Sequence, residues 1–103
     1  MYARMTKLHE VGGDVDSAVR TVKENVIPRV REIDGYKGFL GFVERESGTF
    51  MSFTLWETED AMRASESAAN QMRQDTVKML GSAEPTVKRF EAAIVELPAP
   101  VMV

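Results

Sequence analysis

The sequence contains no cysteine and only one histidine, His9, among its 103 residues. Without cysteine there are no disulfide bonds, no thiolate catalysis and no thiolate metal sites. A single histidine whose local carboxylate neighbour is Glu10 does not supply a metal ligand set, so we predict no metal and no cofactor. No apolar run approaches the roughly 18 residues of a membrane-spanning helix, and the N-terminus lacks a signal-peptide core. A cytoplasmic protein is expected.

The charge of the chain is slightly negative and has no positive block. The formal net charge is −3, with 28% charged and 44% hydrophobic residues. Binding of nucleic acid or of an anionic membrane needs a positive field, so neither partner is expected. The length fits one small domain, for which a second buried surface such as a subunit interface would add stability.

The hydrophobic pattern predicts the element order βαββαβ. Asp14 or Asp16 can cap a first helix that ends at Gly35, with Pro28 kinking or tightening it. Thr58 is the predicted cap of the second helix. The predicted strands are residues 2–11, two strands on either side of Ser47-Gly48, and residues 85–97. The second helix is predicted over residues 59–80.

This order predicts a ferredoxin-like α+β fold. Two βαβ-like halves with right-handed crossovers give a four-stranded antiparallel sheet with both helices on one face. Residues 1–97 are expected to form a single domain, and residues 98–103 a C-terminal tail.

The central hairpin predicts which side chains share a face of the sheet. A two-residue loop at Ser47-Gly48 pairs Glu46 with Thr49 and Phe39 with Trp56. A wholly apolar set is then expected under the helices: Leu40, Phe42, Met51, Phe53 and Leu55. The opposite set contains Phe39, Gly41, Val43, Phe50, Ser52, Thr54 and Trp56. That set is too apolar for water and too polar for a plain core, so a second copy of the sheet is expected to cover it and enclose a pocket.

Three segments in this order resemble the dimeric α+β barrel proteins of the antibiotic biosynthesis monooxygenase type. They are GFLGF (38–42), LWETEDA (55–61) and RFEAAIVEL (89–97), and the resemblance spans about Tyr2 to Leu97. It implies a homodimer whose sheets pack face to face, with a pocket in each subunit between sheet and helices. The predicted register points Trp56 away from the helices. Either the pocket opens near the start of the second helix, or the register is off by one residue.

The resemblance also implies an activity, the oxidation of aromatic phenols without metal or flavin. Trp56 matches the family's tryptophan near the end of the third strand. The haem-degrading members carry an asparagine where this chain has Thr6, and a ligand histidine on the second helix, where residues 59–80 have none. Haem chemistry is therefore ranked last.

The candidate site residues divide into two groups. The candidate catalytic residues are Trp56, Thr6, Arg4 and His9, and the candidate substrate-binding residues are Phe39, Ser52, Thr54 and Asn70. Trp56 and Phe39 would form walls, while the hydroxyls would orient the ligand. Arg4 or His9 would favour a phenolate, and Asn70 or Arg73 could reach the pocket mouth. For Trp56 a core or interface position is the favoured alternative, and for His9 it is a surface position at a strand end.

These residues predict a cofactor-independent monooxygenase-like homodimer that oxidises a small aromatic or polycyclic phenol. The alternative is a non-catalytic small-ligand-binding or structural dimer of the same fold.

Overall fold

The computed structural model describes residues 1–9 and 14–98. Its elements follow the predicted βαββαβ order, with each helical region divided into shorter segments. In chain order they are β1 Tyr2–Leu8, α1 Val15–Thr21, a π-helical segment Val22–Val26, α2 Ile27–Val30, β2 Tyr36–Glu44, β3 Thr49–Trp56, α3 Glu59–Ala64, α4 Glu66–Leu80 and β4 Thr86–Glu91. The last strand ends at Glu91 rather than Leu97. Val11, predicted to end the first strand, and residues 99–103 of the predicted tail lie outside the described residues.

The described strands form an antiparallel sheet in the order β2-β3-β1-β4. The helices pack on one face of it, which confirms the ferredoxin-like α+β class. None of the helices within the described residues is long and apolar enough to cross a membrane.

Side-chain caps start the helices where the sequence predicts them. The Asp14 carboxylate accepts a hydrogen bond from the Asp16 amide at 3.0 Å, and the Thr58 hydroxyl accepts one from the Ala61 amide at 3.0 Å. The first helix widens into a π segment before Pro28, rather than tightening. Proline has no amide proton to donate to the Glu24 carbonyl, and its ring needs space beside that carbonyl.

The β2–β3 turn is longer than predicted, and the predicted register is wrong. Residues 45–48 form a four-residue turn in which Gly48 has a φ of 69°. The Ser47 hydroxyl donates to Glu44 Oε1 at 2.5 Å within this turn. Glu44 pairs with Thr49 and Phe39 with Thr54, a slip of two residues. Since side chains alternate with a period of two, the slip keeps both side-chain sets intact.

The assignment of those two sets to the faces of the sheet is also wrong. Trp56 and Phe50 are buried against the helices, at 0% and 4% exposure. Leu40 and Phe42 lie on the opposite face, where about half of each side chain is exposed. The wholly apolar set therefore forms the uncovered face of the sheet, which we call the open face. The mixed set lies under the helices, and its polar members Ser52 and Thr54 line a cavity there.

Candidate functional site

A cavity lies between the sheet and the helices, on the side where the resemblance places the family pocket. Much of its floor comes from two cross-strand rows, Phe39, Thr54 and Arg4 from β2, β3 and β1, followed by Ser52 and Thr6 from β3 and β1; Leu8 and Phe50 also line it. Ser52 and Thr6 in the second row have small side chains, which leave room for a cavity between the sheet and the helices. The mixed set of apolar and hydroxyl side chains, which does not suit a plain core, therefore provides lining for the cavity.

The roof of the cavity comes from the two helical regions. The π segment and α2 contribute three valines, and α4 contributes one face that ends in two polar residues. These roof residues are Val22, Val26, Val30, Ala69, Met72, Arg73 and Thr76. The cavity has a volume of about 60 Å³, room for a few water molecules. Ligand pockets typically measure about 300–1,000 Å³, so an aromatic ligand requires the roof to move.

Arg4 is the most deeply buried charged residue at the site, with 2% of its surface exposed. Its Nη2 donates to the Met62 carbonyl at 2.7 Å and to the Ser65 hydroxyl at 2.8 Å. Nη2 and Nε also donate to Glu66 Oε1, at 2.8 and 3.1 Å. The Met62 carbonyl accepts from Arg4 and from Ser65 Oγ at 2.6 Å instead of continuing a regular helix. Arg4 therefore binds to backbone and side-chain groups at the break between α3 and α4 and helps to stabilise it.

Glu66 holds two arginines that face each other across β1 and β4. Arg89, the cross-strand partner of Arg4, donates to both Glu66 oxygens at 2.7 Å. Hydrogen bonds from Arg89 and Arg4, with the positive charges of both, lower the pKa of Glu66 to about 2. The carboxylate is thus ionised throughout the physiological range, and it neutralises what would otherwise be a repulsive pair.

Arg73 on α4 is a third arginine near the same carboxylate. Its Nη2 lies 4.0 Å from Glu66 Oε2, and 14% of its side chain is exposed. Burial lowers the pKa of Arg73 below its ordinary value, the nearby charge of Arg4 lowers it further, and Glu66 opposes the effect. The floor and roof therefore bring two arginines, Arg4 and Arg73, to the same apolar cavity.

Trp56 lies directly beside the cavity floor rather than in the cavity lining. Its indole Nε1 donates to Thr54 Oγ1 at 2.9 Å, and the Arg4 guanidinium carbon lies 5.5 Å from the centre of its ring. Tyr36 packs edge-on against it, with ring centroids 6.2 Å apart. The described lining residues do not include Trp56. Its contacts fix the orientation of Thr54 and Arg4, which do line the cavity.

The structure brings five of the eight candidate residues together. Arg4, Thr6, Phe39, Ser52 and Thr54 all line the cavity. His9 is outside the cavity lining at the end of β1, where its Nε2 lies 3.0 Å from the hydroxyl oxygen of Thr86. Asn70 lies on a surface groove between α4 and β4.

Sequence reasoning missed the ionic part of the site. Glu66 and Arg89 are distant from Arg4 along the chain, and no local spacing links them. One signal was present: Arg4 stands at an inward-facing position of β1, between Tyr2 and Thr6, where an unpaired charge would be costly. Among the described residues, no group of three or more His, Asp and Glu side chains is arranged to hold a metal ion.

Comparison with known proteins finds relatives of similar sequence in Mycobacterium tuberculosis. The uncharacterized protein Rv2557 of Mycobacterium tuberculosis is 31% identical over 93 residues, which are 90% of this chain. The aligned part is 41% of Rv2557, so the chain spans about two-fifths of that relative's length. No family model matches the sequence.

Two solved structures resemble the chain over nearly its whole length. The monooxygenase ActVA-Orf6 of Streptomyces coelicolor, solved with nanaomycin D, is 14% identical with a TM-score of 0.73, covering 95% of this chain and 92% of its own. SnoaB of Streptomyces nogalater, a cofactor-independent oxygenase, is 15% identical with a TM-score of 0.67, covering 91% and 94%. The chain therefore has the ferredoxin-like fold of the antibiotic biosynthesis monooxygenases.

Proposed function

We propose that this chain is a cofactor-independent monooxygenase that oxidises a small aromatic phenol in the cavity between sheet and helices. The observation that carries the proposal is the composition of that cavity. The hydroxyls of Thr6, Ser52 and Thr54 and the cations of Arg4 and Arg73 stand among apolar walls. Preorganised cations and donors favour a phenolate over the neutral phenol, and the walls limit access of water. An electron-rich phenolate can itself reduce O₂.

The reaction balances without a further reductant. For the probe 1,5-dihydroxynaphthalene, one ring C–H becomes C=O, and the product is 5-hydroxy-1,4-naphthoquinone. The substrate supplies all four electrons to O₂; one oxygen atom enters the quinone and the other leaves as water. In this scheme the phenolic proton is released to water, Arg4 stabilises the resulting negative charge, and Ser52 and Thr6 orient the ring oxygen. Phe39 forms a wall.

Trp56 and His9 have different places in this proposal. Trp56 is a positioning residue, because it contacts Thr54 and Arg4 rather than the cavity. His9 bonds to Thr86 outside the cavity lining, and the proposal gives it no part in the reaction. Haem binding remains the last-ranked alternative, and a Soret titration without a spectral shift would remove it.

The small cavity favours a second candidate function, the binding of a small ligand without catalysis. A volume of about 60 Å³ is well short of a two-ring substrate unless α4 or its side chains move. This candidate predicts saturable binding of phenols with no oxygen consumption above the uncatalysed rate.

A homodimer formed through the open face is part of the proposal. Leu40, Phe42 and Phe90 each leave 45–50% of their side chains exposed there. Phe53 lies between two of them, 6.1 Å from Phe42 and 6.5 Å from Phe90 by ring centroids. A contiguous aromatic patch of this kind typically marks an interaction surface. A cytoplasmic location remains a prediction.

The test of the oxygenase is oxygen uptake with 1,5-dihydroxynaphthalene, corrected for the rate without protein. We expect one O₂ consumed per quinone formed, with one oxygen atom from ¹⁸O₂ in the product. Ser52→Ala is expected to reduce the rate at least about 10-fold, because a hydrogen bond to a charged group contributes about 1.5–3 kcal/mol. Ser67→Ala, an exposed serine on α4, is the matched control and should retain the wild-type rate.

Equal rates in wild type, in Ser52→Ala and in buffer alone would refute the oxygenase. Saturable binding of the probe in the same samples would then support the second candidate.

A further inference from the structure

Arg73 separates the cavity from the outer surface of the protein. Its side chain lines the cavity and also lines a groove between α4 and β4. The groove has a volume of about 390 Å³ and is bounded by residues such as Asn70, Gln74 and Val87. Arg73 is the one residue common to the described linings of these two spaces, so movement of its side chain offers a route between them.

Within 4.0 Å of Arg73, Glu66 is the one described carboxylate, while Glu84 and Lys78 line the outer groove together with Arg73. Glu66 faces Arg4, Arg89 and Arg73, which leaves three positive charges against one negative charge. Both Glu66 oxygens already accept bonds of 2.7–2.8 Å from the other two arginines. At 4.0 Å, the contact of Arg73 with Oε2 exceeds hydrogen-bond distance. This excess is local, since the whole chain has a net charge of −3.

Because positive charge is in excess around it, the Arg73 guanidinium is suited to bind an anion. Only 14% of the Arg73 side chain is exposed, and its donors reach water rather than a described carboxylate at hydrogen-bond distance. Its planar fork of N–H groups matches a carboxylate in a bidentate arrangement, which a lysine ammonium does not provide. The remaining walls near it, Met72 and Val26 among them, are apolar and suit the ring of the same ligand.

We propose that the ligand of this cavity is an aromatic carboxylic acid, and that Arg73 is the residue that selects it by pairing with its carboxylate. The ligand enters from the groove between α4 and β4, with its ring in the cavity and its carboxylate at Arg73. This inference rests on the proposed function for the location of the site, and it adds the chemical class of the ligand. A phenolic hydroxyl on the same ring would then lie among the cavity hydroxyls.

Isothermal titration calorimetry with matched acids and esters tests the selection. The probes are 4-hydroxybenzoate and 6-hydroxy-2-naphthoate, each compared with its methyl ester. The ester has the same ring and hydroxyl but no charge, and the pair of ring sizes allows for a narrow cavity. We expect wild type to bind at least one acid about 10-fold or more tightly than its ester, the range of a charge-assisted hydrogen bond.

Variants distinguish pairing of the ligand with Arg73 from a general attraction by the other positive charges. Arg73→Gln is expected to reduce the acid-to-ester ratio to within about twofold. Arg73→Lys keeps the charge without the fork and should lower the ratio several-fold; it also serves if the glutamine variant does not fold. Arg63→Gln, an exposed arginine on α3, is the matched control and should leave the ratio unchanged. Circular dichroism confirms the fold of each variant.

Three results would overturn the inference: no binding of either acid by wild type, equal binding of acid and ester, or an unchanged ratio in a folded Arg73→Gln or Arg73→Lys variant. These results are distinguishable from failure of the oxygenase. Acid preference through Arg73 without oxygen uptake removes the oxygenase alone. Turnover of 1,5-dihydroxynaphthalene without any acid preference removes the selection by Arg73 alone.

Discussion

Substitution of Glu66 by glutamine removes one charge from the centre of the ionic site while keeping the size of the side chain. The amide oxygen of the new side chain would still accept a hydrogen bond from Arg4, but the guanidinium would lose its counter-charge. Arg4 is only 2% exposed, so water replaces that charge poorly. The repulsion between Arg4 and Arg89 would also lose the carboxylate that offsets it. We expect the folded state to be destabilised, with little change in the shape of the site.

The pKa of Glu66 gives the magnitude of this effect. The value falls from an ordinary 4.5 to about 2, and each pKa unit corresponds to about 1.4 kcal/mol. The whole difference would be roughly 3 kcal/mol. Because 30% of the Glu66 side chain is exposed, solvent screening reduces this, and we expect about 2 kcal/mol.

The same pKa fixes the sign of the pH dependence. Because the pKa is lower in the folded state, the stabilisation is fully present above the unfolded value near 4.5. It is lost progressively as the pH falls through the folded value of about 2. The difference in unfolding free energy between wild type and Glu66→Gln should therefore be about 2 kcal/mol at pH 7 and shrink towards zero near pH 2.

Urea unfolding at constant protein concentration measures both quantities. Trp56 is the only tryptophan and is fully buried, so its fluorescence reports unfolding directly. Glu46→Gln, an exposed glutamate in the β2–β3 turn, is the matched control and should change stability by less than about 0.5 kcal/mol. Equal stability of wild type and Glu66→Gln at pH 7 would refute the reasoning. A difference in unfolding free energy that stays constant from pH 7 to pH 2 would also refute the reasoning, because such a difference could not come from the charge of Glu66.

Two further substitutions test the dimer surface and a tight loop. Phe42→Lys on the open face should convert the proposed dimer into a monomer at micromolar concentration, as measured by light scattering after size exclusion. Met79→Lys on α4 is the control and should leave the dimer intact. A monomeric wild type would contradict the dimer. Gly35→Ala should destabilise the fold by about 3 kcal/mol or more, since Gly35 has a φ of 85° and an added methyl group would overlap the Ala61 side chain. Gly48→Ala, with a φ of 69° in open space, should cost only about 1 kcal/mol. Urea unfolding followed by Trp56 fluorescence measures both variants, and equal costs would contradict the clash.

The sequence predicted the fold and much of the cavity lining because both depend on local patterns. The caps Asp14 and Thr58 and the β2–β3 hairpin act over a few residues. The alternation in β3 correctly grouped Ser52 and Thr54 with Phe50, since a slip of two residues preserves the period of a strand. Hence five of the eight candidate residues meet in one cavity.

Local patterns did not determine which face of the sheet the helices cover. The expectation assumed that the more apolar set would be the one under the helices. Both sets are apolar enough to be buried, and the path of the crossovers, rather than hydrophobicity, decides between them. The structure reverses this assignment, because Arg4 lies under the helices and Phe42 is half exposed on the opposite face.

By itself, the sequence determined the order of the elements, the alternation along each strand and the presence of hydroxyls on one side of β3. Those features follow from backbone geometry over a few residues. Only the tertiary structure decided the face on which the cavity opens and the meeting of Arg4, Glu66, Arg73 and Arg89. The reason is physical: a buried charge is tolerated where folding brings it a partner, and that partner can come from any distance along the chain.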